Sequence, residues 1–138
     1  MENIDTGFKI VNLLMLECEF KRTPNVSFNH ENIDTNVEIN VDTQVNENQV
    51  IVSEMLVFKQ IVNDITEVNA MIKFIGVFQS IGKTKLSLEE FGHVNGAAII
   101  FPYIREQLSN MSLKSGIGNL ILPPVNFVKK YEEKVKLD

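Results

Sequence analysis

The spacing of apolar residues changes once along this chain, near Gly82, and that change limits the fold more than any other feature. Before it, apolar residues alternate with polar ones or cluster in β-branched stretches, which is typical of strands. After it, they recur at steps of three and four, which is typical of helices. Strands followed by helices, rather than alternating with them, indicate a single α+β domain over residues 1–138.

The first predicted strand, residues 8–22, has apolar side chains on both faces at one end, so both faces must be covered there. Residues 23–36 contain Pro24 and many Asn, which predicts a long loop that crosses over. Three further strands follow, joined by short turns near residues 46–48 and 64–67. They span Val37 to Val45, residues 49–63, and Val68 to Phe78. Short turns between strands indicate an antiparallel sheet.

Two helices are predicted in the last third of the chain. Ser87 and Glu90 have the spacing of a capping box, and Pro102 should start or kink the helix over residues 96–115. One apolar stripe runs along that helix, formed by Ala97, Phe101, Ile104, Leu108 and Met111. Lys114, Ser115 and Gly116 provide its stop signal. A short helix should follow at about residues 126–137.

Composition and charge exclude several functions. The net charge is −5 and no Lys/Arg cluster is present, which argues against binding to nucleic acid or to an anionic membrane. No apolar run approaches the roughly 20 residues of a membrane span. The N-terminus has no signal-peptide pattern, and the single Cys18 leaves no internal disulfide, so we expect a cytoplasmic protein.

Catalytic and cofactor motifs are incomplete. Gly82, Lys83 and Thr84 resemble the end of a P-loop, but Val77 stands where that motif needs Gly. His30 and His93 have no further ligand at metal-binding spacing and are predicted to be polar loop or surface residues. We therefore expect no enzyme activity, no metal and no cofactor.

Two segments of the second half resemble a known family. Residues 99–106 read IIFPYIRE and residues 120–127 read LILPPVNF, and both runs and their separation are similar to those of the SecB protein-export chaperones. GVF at 76–78 and VEINVDT at 37–43 resemble family segments in the earlier strands.

The resemblance implies a four-stranded antiparallel sheet with a long crossover between its first two strands and with a long and a short helix on one side. It also implies a homotetramer, built as a dimer of dimers, that holds unfolded polypeptides destined for export without using ATP. The expected interface residues are Leu13, Leu14, Leu16, Phe101, Ile104, Leu108 and Met111.

The resemblance also places the client-binding groove along the crossover loop and the last helix. The matching positions are Phe28, Ile33, Phe127, Val128 and Tyr131. Glu17 matches a position that contacts the motor SecA, whereas Lys21 and Met71 stand where other members carry acids.

Two other functions fit the same sequence. Some SecB-like proteins are dedicated chaperones of an antitoxin, and a plain oligomeric scaffold or small-ligand binder would need no open groove. The apolar pattern alone predicts either a filled core with an oligomer interface or an exposed binding groove.

Overall fold

Four long strands form one antiparallel sheet in the order β1-β4-β3-β2, and the helices follow them in sequence. The computed structural model describes residues 7–27, 32–82, 86–118 and 120–137. The strands are β1 Phe8–Arg22, β2 Ile33–Asn46, β3 Gln49–Val62 and β4 Ile65–Ser80. The helical elements are α1 Leu88–Phe91, a π-helical turn Gly92–Gly96, α2 Ala97–Lys114 and α3 Phe127–Leu137. The predicted α+β architecture is confirmed.

Two-residue turns connect the last three strands. Glu47 and Asn48 join β2 to β3, and Asn63 and Asp64 join β3 to β4. Glu47, Asn63 and Asp64 have φ angles of 55°, 50° and 65°, in the left-handed region. Among residues with a side chain, Asn and Asp tolerate this conformation best, which suits them to the β3–β4 turn. β1 and β2 lie at opposite edges of the sheet, which agrees with the predicted crossover between them.

The even-numbered residues of β3 face the helices and form the centre of the core. Val50, Val52, Leu56 and Phe58 are buried there, and Ile72, Phe78, Ile100, Ile104 and Leu108 pack in the same cluster. Glu54 has the same parity and is fully buried. In the part of the chain that the structure describes, neither of its carboxylate oxygens has a hydrogen-bond partner. Burial raises the pKa of Glu54 to about 8, so the side chain is a neutral acid at pH 7.

Bulges explain why β1 is apolar on both parities. The register with β4 shifts between Ile10 and Asn12 and again between Met15 and Glu17. Each extra residue reverses which parity faces the helices. Leu13 before the second bulge and Cys18 and Phe20 after it all pack against the core.

The long helix starts earlier than the sequence predicts. Ser87 caps α1 by accepting a hydrogen bond from the Glu90 backbone N–H at 3.1 Å, and the helical run passes through the π turn into α2. The predicted helix over residues 96–115 agrees with α2, in which Pro102 lies inside rather than at the start, but the helical residues 88–96 before it were not predicted. Close packing requires glycine at both positions 92 and 96 of this run. A Cβ on Gly92 would lie 2.9 Å from the Thr43 Cγ2 atom, and one on Gly96 would lie 3.1 Å from the Val52 Cγ2 atom.

The C-terminal end of α2 follows the predicted stop signal. Ile117 N–H donates to the Ser112 carbonyl and Gly116 N–H to the Leu113 carbonyl, with Gly116 at φ 72°. These bonds satisfy carbonyls that the last helical turn leaves free.

Candidate functional site

The last helix, α3, is held to the molecule at its first turn. Asn126 caps it by accepting a hydrogen bond from the Lys129 backbone N–H at 3.0 Å. Phe127 is the buried residue of α3, and its ring packs edge-on against Phe101 with centroids 5.8 Å apart. Beyond that turn, α3 is mostly exposed, so the helix leaves one apolar side available.

A cavity of about 390 Å³ lies between α3 and strand β2. Its walls are Asn40, Val41 and Asp42 from β2, His93 from the π turn, and Lys130, Tyr131, Glu133, Lys134 and Leu137 from α3. We call this space the α3 cleft. Its volume falls within the range of small-ligand pockets and is enough for a few side chains.

His93 forms the inner wall of the α3 cleft. Its Nε2 atom lies 3.1 Å from Lys134 Nζ and 3.2 Å from Thr43 Oγ1, and its ring stacks on Tyr131 at 5.2 Å between centroids. Burial, followed by the charge of Lys134, lowers the pKa of His93, while Glu89 and Asp42 act in the opposite direction. The Nε2 atom of a neutral imidazole can accept a hydrogen bond from the Lys134 ammonium group. This contact holds α3 against the π turn.

A second hollow, of about 320 Å³, lies on the other side of α3. Tyr131, Val135 and the stem of Lys136 line it together with Glu90 and Glu132. Tyr131 therefore borders both spaces, which makes it the central side chain of this region. Val128, Val135 and Leu137 are each more than half exposed on the same helix.

The structure brings together only part of the predicted groove. Phe127, Val128 and Tyr131 lie on α3, but Phe127 faces the core and is 6% exposed. Ile33 begins β2 and pairs with Val62, at the other end of the strand from the α3 cleft. Phe28 and His30 lie outside the described residues.

Tyr131 is the one α3 cleft residue that the sequence analysis named for the groove, and His93 and Val41 are among those it missed. His93 was expected in a loop or on the surface and is instead 4% exposed, because the π turn points its ring between β2 and α3. Val41 was expected on a strand but not in a site. No sequence signal links either residue to α3, since both contacts depend on how the helix folds back.

Polar contacts hold the start of the crossover, residues 23–27, where the chain leaves β1. The Arg22 guanidinium donates to the backbone carbonyls of Thr23, Pro24 and Ser115, which ties the crossover to the end of α2. Ser27 N–H donates to Glu67 Oε1 at 2.8 Å. These bonds fix the start of the crossover on β4 and α2.

The predicted interface residues divide into two groups. Leu14 and Leu16 are exposed and Leu13 is partly buried, whereas Phe101, Ile104 and Leu108 are already buried between α2 and the sheet of one chain. Met111 is partly exposed. The outer side of α2 instead exposes Ile99, Tyr103 and Leu113. Any contact of α2 with another copy would use this outer side.

Glu17 lies on the helix-free face of the sheet. It is exposed and pairs across the strands with Lys73. Among the described residues, no helix is long and apolar enough to cross a membrane, and no group of three or more His, Cys, Asp or Glu side chains could hold a metal ion.

Comparison with known proteins gives consistent results. The family model described as preprotein translocase subunit SecB matches residues 6–137. The protein-export protein SecB of Aromatoleum aromaticum is 29% identical over 122 residues, which cover 85% of this chain and 75% of that one. An uncharacterised protein of Methanocaldococcus jannaschii is 35% identical over 51 residues, 37% of this chain and 33% of that protein.

One solved structure has a similar fold. The SecB-like chaperone of Mycobacterium tuberculosis, in complex with a ChAD peptide from an antitoxin, superposes with a TM-score of 0.69 over 86% of this chain and 90% of that chain. The sequence identity is 14%, so this likeness concerns the fold. The family match over nearly the whole length decides the assignment: this chain belongs to the SecB family.

Proposed function

We propose that this protein is an ATP-independent holdase that binds unfolded polypeptide along α3, in the α3 cleft and in the hollow on the other side of the helix. The observation that carries the proposal is an anchored helix whose apolar side remains uncovered beside an open cavity. Val128 is 51% and Val135 53% exposed, Val135 lines the second hollow, and Tyr131 borders both spaces. Membership of a chaperone family supports the same reading.

Holding in this way needs no chemical step. An unfolded chain exposes apolar side chains, and burying them releases about 25 cal/mol per Å² of apolar area. Weak binding at one cleft is strengthened when several copies in an oligomer engage one client, because the second contact is intramolecular. We propose a homotetramer for this reason, with the exposed residues Leu14, Leu16 and Ile99 among its contacts. We also propose that it acts in the cytoplasm, where an export chaperone meets its clients.

A dedicated antitoxin chaperone is the second candidate, because the M. tuberculosis relative is bound to an antitoxin peptide. Both candidates use the same cleft and differ in the client. A general export chaperone should bind many unfolded proteins and also SecA, with Glu17 as one contact. A dedicated chaperone should bind one antitoxin far more tightly than unrelated chains.

Suppression of aggregation tests the holding role. The double variant Val128→Ala/Tyr131→Ala should lose most of the ability to keep a chemically unfolded, unrelated protein in solution, while its oligomeric state stays as in the parent. Ile65→Ala is the matched control, because Ile65 is 59% exposed but lies at the β3–β4 turn. Equal suppression by the double variant and the control would reject the apolar side of α3 as the binding site.

A further inference from the structure

The α3 helix folds back onto the π turn, and His93 contacts it there through two side chains. The His93 ring is 4% exposed and lies between Thr43 of β2 and the α3 helix. Tyr131 stacks on the ring with centroids 5.2 Å apart, and Lys134 Nζ lies 3.1 Å from the Nε2 atom. Tyr131 and Lys134 are three residues apart on the helix, so His93 contacts one side of α3 twice.

The contact between His93 and Lys134 requires an uncharged ring. The Lys134 ammonium group can only donate hydrogen bonds, so the Nε2 atom must accept. A neutral imidazole with its proton on Nδ1 provides that acceptor. A second proton on Nε2 removes the acceptor and places two cations 3.1 Å apart. Protonation of His93 therefore turns an attractive contact into a repulsive one.

Titratable groups from three elements surround His93. They are Asp42 of β2, Glu89 of α1, and Lys130, Tyr131, Glu133 and Lys134 of α3. Burial, followed by the charge of Lys134, lowers the pKa of His93, and the two acids Glu89 and Asp42 oppose this effect without reversing it. The docked position of α3 thus disfavours the charged ring. By linkage, charging the ring disfavours docking of α3.

Docking of α3 should weaken as the pH falls. When α3 is released, His93 is open to water and takes up a proton near its ordinary pKa of 6.5, whereas its pKa is lower while α3 is docked. Docking is therefore most favourable above pH 6.5 and weakens as the pH falls through that value towards the lower pKa. Glu54 has the opposite sign, because its contribution to stability declines as the pH rises.

Release of residues 131–137, the outer half of α3, would remove one wall of the α3 cleft. Tyr131 and Lys134 both line the cleft, and Tyr131 also borders the second hollow. The first turn of α3 would stay attached, since Phe127 packs on Phe101 away from His93. An unfolded segment held beside α3 would then lose apolar contacts on that side.

We propose that His93 is a positioning residue of the client site and makes client capture sensitive to pH. Its neutral ring holds Tyr131 and Lys134 in place, and its protonation releases the outer half of α3 together with the bound client. This inference rests on the proposed holding function and assigns a regulation to it. Release by a proton needs no ATP and no chemical step.

The variant His93→Gln tests this role, because an amide does not take up a proton in this pH range while its oxygen can still accept a hydrogen bond from Lys134. The probe is a fluorescently labelled, reduced and carboxymethylated polypeptide that cannot refold, and its anisotropy reports binding. The parent should bind it about fivefold or more weakly at pH 5.5 than at pH 7.5. His93→Gln should bind it with similar affinity at both. His30→Gln, which removes the other histidine of the chain, is the matched control and should behave like the parent.

The variant Lys134→Gln tests the other partner of the contact. It removes the second cation but keeps a donor, so its affinity for the probe should depend on pH less than that of the parent. Lys129→Gln is the matched control, because Lys129 is exposed on the same helix and lines neither hollow beside it. It should keep the full pH dependence.

Amide hydrogen exchange, corrected for its intrinsic pH dependence, shows whether α3 itself is released. Lowering the pH from 7.5 to 5.5 should reduce protection at residues 131–136 of the parent but not of His93→Gln, while β3 stays protected in both. NMR of the His93 ring nitrogens should show a neutral ring with its proton on Nδ1 at pH 7.5. A charged ring at that pH, or unchanged protection of α3 at pH 5.5, would overturn the proposal.

The binding data distinguish this inference from the holding function. Equal or stronger capture by the parent at pH 5.5 would leave the holding function standing and overturn the role of His93. An equal loss of capture in His93→Gln and in the parent would do the same, because groups other than His93 would then cause it. A parent that binds no probe at pH 7.5 would reject both proposals.

Discussion

Glu54 is a carboxylic acid buried among apolar side chains, an environment that disfavours its charged form. Its neighbours across the strands are Val41 and Phe74, and its neighbours on the same strand face are Val52 and Leu56, so no charged side chain offsets its burial. Because alternate residues of a strand point to the same face, Glu54 shares its face with Val52 and Leu56. Because apolar residues occupy both parities of β3, however, the sequence could not identify the buried face.

The pH dependence of stability should report this residue. The folded pKa is about 8 against an ordinary value of 4.5, so the folded state keeps its proton where the unfolded state loses it. Stability from this group is full below pH 4.5 and declines as pH rises to about 8, by on the order of 3–5 kcal/mol in total.

Denaturant unfolding of the parent and of Glu54→Gln at pH 5, 7 and 9 measures that decline. We expect a smaller loss of stability over this range for Glu54→Gln, and a gain at pH 7 for Glu54→Leu because its side chain has no proton to lose. Parallel pH profiles of the parent and Glu54→Gln would contradict the assignment of a neutral buried acid.

Phe127 and Val128 are adjacent residues with opposite expected effects. Phe127→Ala should lower the free energy of unfolding by about 3–5 kcal/mol, or release α3, because it leaves a hole beside Phe101. Val128→Ala should change stability by less than about 0.5 kcal/mol and weaken client capture, because Val128 is exposed. Urea unfolding and limited proteolysis after Lys129 and Lys130 separate the two variants. Comparable destabilisation by both would mean that Phe127 does not anchor the helix.

At the scale of elements, strands were predicted better than helices. The predicted range of β1 is confirmed at both ends, and the three later strands differ from their predicted ranges by a few residues. β2 begins at Ile33 rather than at the predicted Val37. Three of its first four residues are polar and exposed, a composition that is typical of a loop. The capping box of Ser87 and Glu90 marks the start of the helical run over residues 88–96, but the run itself was not predicted, because Gly92 lowers helix propensity and its need for close packing appears only in three dimensions.

The site was predicted in part for the same reason. The position of α3 follows from Pro123, Pro124 and Asn126, which give a break and a cap, and Tyr131 was identified through the family likeness. His93 and Val41 could not be predicted, because their place in the α3 cleft depends on α3 folding back over the sheet.

The junction of β1, the crossover and α2 depends on Arg22. Arg22→Ala should destabilise the chain by about 1–3 kcal/mol, because the carbonyl of Ser115 at the end of α2 and those of Thr23 and Pro24 lose a charged donor. Arg22→Lys should recover only part of this, since Lys lacks the planar fork.

Lys21→Ala is the matched control for Arg22. Lys21 directly precedes Arg22 in β1. Its side chain is 77% exposed, and its Nζ atom lies 3.8 Å from Glu19 Oε1. Its loss should change stability by less than about 0.5 kcal/mol in urea unfolding. Indistinguishable midpoints for the Arg22→Ala and Lys21→Ala variants would show that the Arg22 contacts do not stabilise the junction.

At the scale of the whole molecule, the described part of one chain leaves two apolar regions uncovered besides the apolar side of α3. One is the β1 edge with Ile10, Val11 and Met15, and the other is the outer side of α2 with Tyr103 and Leu113. Exposed apolar patches of this kind usually mark interfaces. They share no residue with the α3 cleft, so assembly through them would leave the cleft open.

A native mass measurement with and without an unfolded client tests the central claim, which is that the assembled particle still binds unfolded chain. We predict a particle of four copies of the 15.7 kDa chain that gains the mass of one unfolded client and gains nothing from the same client when folded. A particle whose mass is unchanged by the unfolded client would contradict the holding function.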